Sequence, residues 1–104
     1  MLEVDVQRKC LDWLKERGIF HWRQNQAAVP RPGGYRRFNG LLGVSDILGV
    51  LPNGRFLAIE VKQPGKKPTV EQEAFLKRVN DLGGVGICVH SLYELKALLG
   101  QHGL

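Results

Sequence analysis

The sequence predicts one small α/β or α+β sandwich, with helices covering a single sheet and elements in the order α-β-β-β-α-β-α. Three observations lead there. Apolar residues recur at helical spacing in three stretches, four short β-branched or aliphatic runs lie among them, and glycine or proline marks most of the boundaries. A chain of 104 residues forms one domain over 1–104, near the lower end of what buries a self-sufficient core.

Residues 3–17 read as a helix, with Val6, Cys10, Leu11 and Leu14 at helical spacing and Gly18 as the stop. Ile19 to Arg23, IFHWR, is β-branched and aromatic and predicts a strand. The stretch QNQAAVPRPGGYRRFNGLLG shows no period; loops of that length in compact domains tend to be functional or mobile. A hairpin follows in GVSDILGVLPNGRFLAIEVK, then the loop QPGKKP. TVEQEAFLKRVNDLGG predicts a helix with Val70, Phe75 (or Ala74), Leu76, Val79 and Leu82 as its apolar positions and a glycine pair as its stop. VGICVH is a short buried strand, and SLYELKALLG a helix between a serine cap and a glycine stop.

Fifteen Lys and Arg against ten Asp and Glu leave a formal charge of +5, which favours a polyanionic partner, most often nucleic acid. From His21 to Gly40 stand Arg23, Arg31, Arg36 and Arg37 with no acid, which reads either as a solvated face or as a phosphate grip. No apolar run is long enough to span a bilayer, and the first ten residues carry acids at helical spacing rather than a secretory leader. Cys10 and Cys88 lack any metal or redox spacing and read as two buried thiols of a reducing cytoplasm.

The hairpin contains an oddity. Asp46, Glu60 and Lys62 sit inside runs that otherwise read as buried. Pro52-Asn53-Gly54 suits a three-residue loop: proline presets φ, and glycine takes the left-handed position. Leu51 then faces Arg55, Asp46 falls opposite Glu60, and Lys62 points to the same face as Glu60. Like charges opposed in a sheet destabilise it unless something positive sits between them, so the pair suits a hard divalent cation, Mg²⁺ or Mn²⁺. A two-residue Asn53-Gly54 turn would instead send the two acids to opposite faces.

WRQN, the arginine-rich loop, GVSDILGVL, LAIEVK, TVEQEAFL and the following GG, taken in order, resemble the VRR-NUC (virus-type replication-repair nuclease) domain of the PD-(D/E)xK nuclease superfamily over nearly the whole chain. Ser45 stands where that family carries the proline before the aspartate. The resemblance implies a restriction-endonuclease-like α/β core with a mixed central sheet flanked by helices. It also implies a Mg²⁺- or Mn²⁺-dependent DNA endonuclease related to Holliday-junction resolvases, working on branched DNA as a homodimer in a phage or bacterial cytoplasm. Asp46 and Glu60 would then ligate the metal, with the carbonyl of Val61 as a third protein ligand. Lys62 would orient or help deprotonate the attacking water and neutralise developing charge.

Glu3 lies on the inward stripe of the first helix, where the family places a metal-site glutamate; an acid in a first turn is equally favoured by the helix dipole. Gln72 matches a glutamine that approaches the metal site or DNA in many superfamily members, yet Thr69 to Gln72 is also a T-x-x-Q capping box. Ser91 to Glu94 is the same device, and Glu94 is given no chemistry. Arg23 would point into the site, Arg31, Arg36 and Arg37 would hold phosphates, and Lys66 and Lys67 would extend the basic surface. Trp22, Tyr35 and Phe38 could stack on bases, although Trp22 reads as core because it alternates with Arg23.

GVLPNGR lacks the Lys-Ser/Thr of a phosphate-binding loop, and the three histidines show no zinc spacing. The alternatives to a junction nuclease are a non-catalytic DNA-binding scaffold of the same fold, a nicking or restriction-type nuclease on linear duplex, and an RNA-binding α/β protein, which lacks the aromatic strand motif of an RNA-recognition sheet. Leu92, Leu95, Leu98 and Leu99 could form a dimer interface or cover the sheet.

Overall fold

The computed structural model describes residues 2–24 and 41–104. In order they form α1 (Glu3–Glu16), β1 (Phe20–Arg23), β2 (Ile47–Val50), β3 (Phe56–Val61), α2 (Val70–Asp81), β4 (Val85–Val89) and α3 (Leu92–Gly100). The order read from the sequence is the one observed. The strands make one mixed sheet, β1-β2-β3-β4, antiparallel from β1 to β3 and parallel between β3 and β4. A parallel pair needs a crossover, and α2 supplies it.

Helices α1 and α3 cover one face of the sheet, burying Val6, Cys10 and Leu14 with Ile47, Ile59, Leu95 and Leu99. Helix α2 covers the other, where Leu76 and Val79 meet Leu48 and Ala58. With both faces covered, β3 reads as an almost unbroken apolar run. Each fully buried leucine contributes about 2 kcal/mol. Leu95 and Leu99 lie in this core and Leu92 and Leu98 pack against it, so the late leucines cover the sheet.

The hairpin follows the three-residue loop. Leu51 N–H donates to the Arg55 carbonyl at 2.9 Å, Gly54 N–H donates to the Leu51 carbonyl at 2.8 Å, and Gly54 has φ +88°. Ile47 pairs with Ile59 and Val50 with Phe56, so the same register carried one step further sets Asp46 opposite Glu60. Arg55 ties the hairpin tip to the turn after α2, donating to the carbonyls of Gly83 and Gly84 and to Nδ1 of His102.

Several side chains depart from their sequence reading. Trp22 is exposed rather than core: it shares its face of edge strand β1 with Phe20, 5.6 Å away between ring centroids, and its Nε1 donates to Gln24. Among the described residues no further strand flanks β1, so alternation there does not mean burial. Val70 and Leu82, 80% and 71% exposed, lie outside the core because, among the described residues, no second layer covers the ends of α2. Cys88 is only half-buried, whereas Cys10 is fully buried; both are free thiols. Burial pushes the two thiols up to about 11, which keeps them protonated near neutrality. Among the described residues, no helix is long and apolar enough to cross a membrane.

Candidate metal and phosphate site

The site forms where β2 begins and β3 ends. Gly43 shapes the approach to Asp46. Its φ is +74°, and a β-carbon there would lie 2.3 Å from the Glu71 backbone and 2.6 Å from Gln72 N. Only glycine lets this segment run against the first turn of α2. Ser45, at the family's proline position, is fully buried with no partner for its hydroxyl among the described residues.

Asp46 is buried, and its Oδ2 accepts the Val61 N–H at 2.8 Å. Val61 therefore presents backbone to the site while its side chain fills the core beneath. Glu60 is 1% exposed. Its Oε1 accepts from Gln72 Nε2 at 2.8 Å, and its Oε2 has no hydrogen-bond partner among the described residues. Burial, the neighbouring Asp46 carboxylate and, more weakly, Glu3 push the Glu60 carboxyl up from 4.5 to about 8, against the opposing pull of Lys62. A bare carboxylate here is costly because Lys62 offsets only part of the burial and of the repulsion from Asp46, and water does not reach it.

Gln72 does both things that its sequence context allows. Its Oε1 accepts the Thr69 N–H at 2.8 Å while Thr69 Oγ1 accepts the Gln72 N–H at 3.2 Å, a complete capping box. The cap fixes which end of the amide is which, so the NH₂ is the end turned to Glu60. Lys62, half-buried, follows Glu60 by two positions, and its backbone N–H continues the ladder to the Val89 carbonyl at 3.0 Å.

Lys66 and Lys67 are exposed on the loop after Lys62. His90 fastens this loop. Its Nε2 lies 2.8 Å from the Lys66 carbonyl and its Nδ1 3.2 Å from Glu94, and those two acceptors push its pKa up. A carbonyl only accepts, so Nε2 carries a proton, and an ionised Glu94 calls for one on Nδ1 as well. Glu94 is thus not a second capping box: Ser91 Oγ accepts from its backbone N–H, but its carboxylate turns to His90.

Glu3 sits half-buried at the start of α1, close enough for its charge to act on Glu60. Among the described residues, no three Asp, Glu, His or Cys gather into one metal-ligand set, and Glu3 acts on Glu60 more weakly than Asp46 does. Gln7, one turn on, is a buried polar residue that the sequence reading missed; its place on the inward stripe with Glu3 and Cys10 was the available signal. Arg23 pairs with Ile47, so strand alternation sets it on the α1 face rather than the face of Glu60. Arg31, Tyr35, Arg36, Arg37 and Phe38 lie outside the described residues.

The donor chemistry fits a hard divalent cation: two opposed carboxylates, one with a buried oxygen that has no partner, beside a backbone turned into the site. No protein-family model matches the chain, and no curated protein matches it. The structure defines the coarser class, a mixed α/β protein with three helices and a four-stranded mixed sheet among its described residues.

Proposed function

We propose that the chain is a Mg²⁺- or Mn²⁺-dependent endodeoxyribonuclease of the VRR-NUC type, with a PD-(D/E)xK centre built from Asp46, Glu60 and Lys62. The observation that carries this reading is Glu60: a buried carboxyl beside a second one, with an oxygen that has no hydrogen-bond partner among the described residues. A fold keeps such an arrangement at a cost in stability, and perturbed carboxyls of this kind concentrate at functional sites.

Asp46, Glu60 and the Val61 carbonyl would hold the ion, with Glu3 acting from outside that set. When bound, the ion would supply charge neutralisation and Lewis acidity for phosphodiester hydrolysis. Gln72 holds Glu60 in orientation through its own capped amide. Lys62 Nζ donates to the phosphate as negative charge builds on its oxygens. Lys66 and Lys67 take up neighbouring phosphates, which position the strand without reading its sequence. A domain of this size offers one centre, so two strands of a branched DNA require two copies, and a symmetric dimer is the economical solution.

The test is cleavage of a labelled four-way junction beside linear duplex of the same sequence, with Mg²⁺, Mn²⁺ or EDTA, by the native chain and by Lys62→Ala. Metal-dependent cutting of the junction, reduced roughly 10²-fold or more in the variant, is the expected result. Equal cutting of both substrates would retain the centre and remove the junction preference. Tight binding with no cutting in either metal would leave a DNA-binding scaffold.

A further inference from the structure

The loop between β3 and α2 is short, basic and held along its length. Gln63 to Lys66 is a tight turn: the Lys66 N–H donates to the Gln63 carbonyl at 3.1 Å, Pro64 presets φ, and Gly65 takes φ +88°. At the far end the Thr69 hydroxyl caps α2 by accepting the Gln72 N–H. Between the two, the Lys66 carbonyl accepts from His90 Nε2 at 2.8 Å. The Glu94 carboxylate, 3.2 Å from Nδ1, holds the ring from its other side.

The His90 and Glu94 side chains are 32% and 39% exposed, so as an ion pair they stabilise the fold little. What they fix is one carbonyl, and with it the backbone that carries Lys66 and Lys67. Both lysines are exposed, and among the described residues neither forms an ion pair. The parallel register pairs Val61 with Val89, and carried one step further it sets His90 beside Lys62. His90 thus links the strand end that carries Lys62 to the turn that carries Lys66. Glu94 neutralises the imidazolium, which leaves the positive charge of this corner to the lysines.

We propose that His90 is a positioning residue: oriented by Glu94, it clamps the Lys66 carbonyl so that Lys66 and Lys67 meet DNA backbone phosphates beside Lys62 from a loop already in place. His90 itself touches no phosphate. A loop without the clamp would be ordered only when DNA binds, and the entropy lost then would weaken the complex. Phosphate contacts carry no sequence information, so the effect is the same on any sequence. The inference rests on the phosphodiester reading of the Asp46–Glu60 centre, but it is measured by binding rather than by cutting.

The experiment is fluorescence anisotropy of labelled four-way junction and linear duplex with Ca²⁺, a hard dication, in place of Mg²⁺. The native chain is compared with His90→Leu and His90→Gln, which are alike in size and differ in having a donor for the Lys66 carbonyl. His90→Leu should weaken binding roughly three- to tenfold, and His90→Gln should restore most of the loss. In a chain that already carries Lys66→Ala and Lys67→Ala, His90→Leu should weaken binding no further. A histidine serving the fold alone would weaken both backgrounds alike. Unchanged affinity in His90→Leu, a His90→Gln no better than His90→Leu, or a loss that persists in full without the two lysines would each overturn the clamp. The expected pattern in a chain that cuts nothing with Mg²⁺ or Mn²⁺ would keep the clamp and remove the nuclease reading. Cutting without that pattern would do the reverse, and a native chain with no affinity for either DNA would overturn both.

Discussion

Replacing Glu60 by glutamine should stabilise this protein in chelator at pH 8 while removing its response to metal. The fold raises the Glu60 carboxyl from 4.5 to about 8, chiefly through burial and then through Asp46. A group whose folded pKa is raised contributes stability that is complete below the unfolded value and is lost as pH climbs to the folded one. Each unit is worth about 1.4 kcal/mol, so keeping Glu60 protonated costs the native chain about 3 kcal/mol at pH 7 and under about 1 kcal/mol at pH 5. Glutamine resembles the protonated acid in shape, still accepts from Gln72, and turns its NH₂ towards Asp46. Glu60→Gln should therefore exceed the native chain by about 4 kcal/mol in EDTA at pH 8 and match it within about 1 kcal/mol at pH 5. Urea unfolding at the two pH values measures this, with the native-minus-variant difference removing every other titrating group. In the same assay Mn²⁺ should raise the stability of the native chain at pH 8 and leave the variant unmoved. A variant less stable than the native chain at pH 8, or a pH-independent difference, would refute the assignment of Glu60 as a buried, strained acid.

Three further outcomes follow from local geometry. Gly43→Ala puts a β-carbon into the α2 backbone at a left-handed φ and should cost at least about 1–3 kcal/mol in urea unfolding, with loss of metal response as Asp46 shifts. Thr69→Ala should cost about 1 kcal/mol as a lost cap, whereas Gln72→Ala should cost about 2 kcal/mol because it also strips the donor from buried Glu60; equal losses would mean that the Glu60 contact contributes nothing. His90 is held with a raised pKa by the Lys66 carbonyl and Glu94, so its contribution is complete below about 6.5 and declines as pH rises through its higher folded value. The melting-temperature gap between the native chain and His90→Ala should accordingly be wider at pH 6 than at pH 9.

The hairpin was legible because its turn carries its own instruction. Proline and glycine spaced as in Pro52-Asn53-Gly54 suit a three-residue loop, and counting from it along the strands brings Asp46 to Glu60; that this loop forms, and not the two-residue Asn53-Gly54 turn, was decided by the structure. The element order was legible for a similar reason, since helical spacing and glycine stops are local. Gln72 shows where local reading ended. Its capping role follows from four residues in a row, but the contact with Glu60 depends on α2 crossing back over β3.

What the sequence by itself determined, then, was the succession of elements and two candidate registers for one hairpin, of which the three-residue loop pairs two acids with a lysine beside them. The tertiary structure decided which apolar residues are covered, and so separated Leu95 and Leu99, in the core, from Trp22, Val70 and Leu82, at the surface. It also decided that Glu60 has one oxygen tied to Gln72 and one with no hydrogen-bond partner among the described residues. Periodicity records the side of an element to which a residue belongs, whereas burial depends on whether another layer reaches that side, and among the described residues a single helix, α2, covers the second face of the sheet and no further layer covers α2.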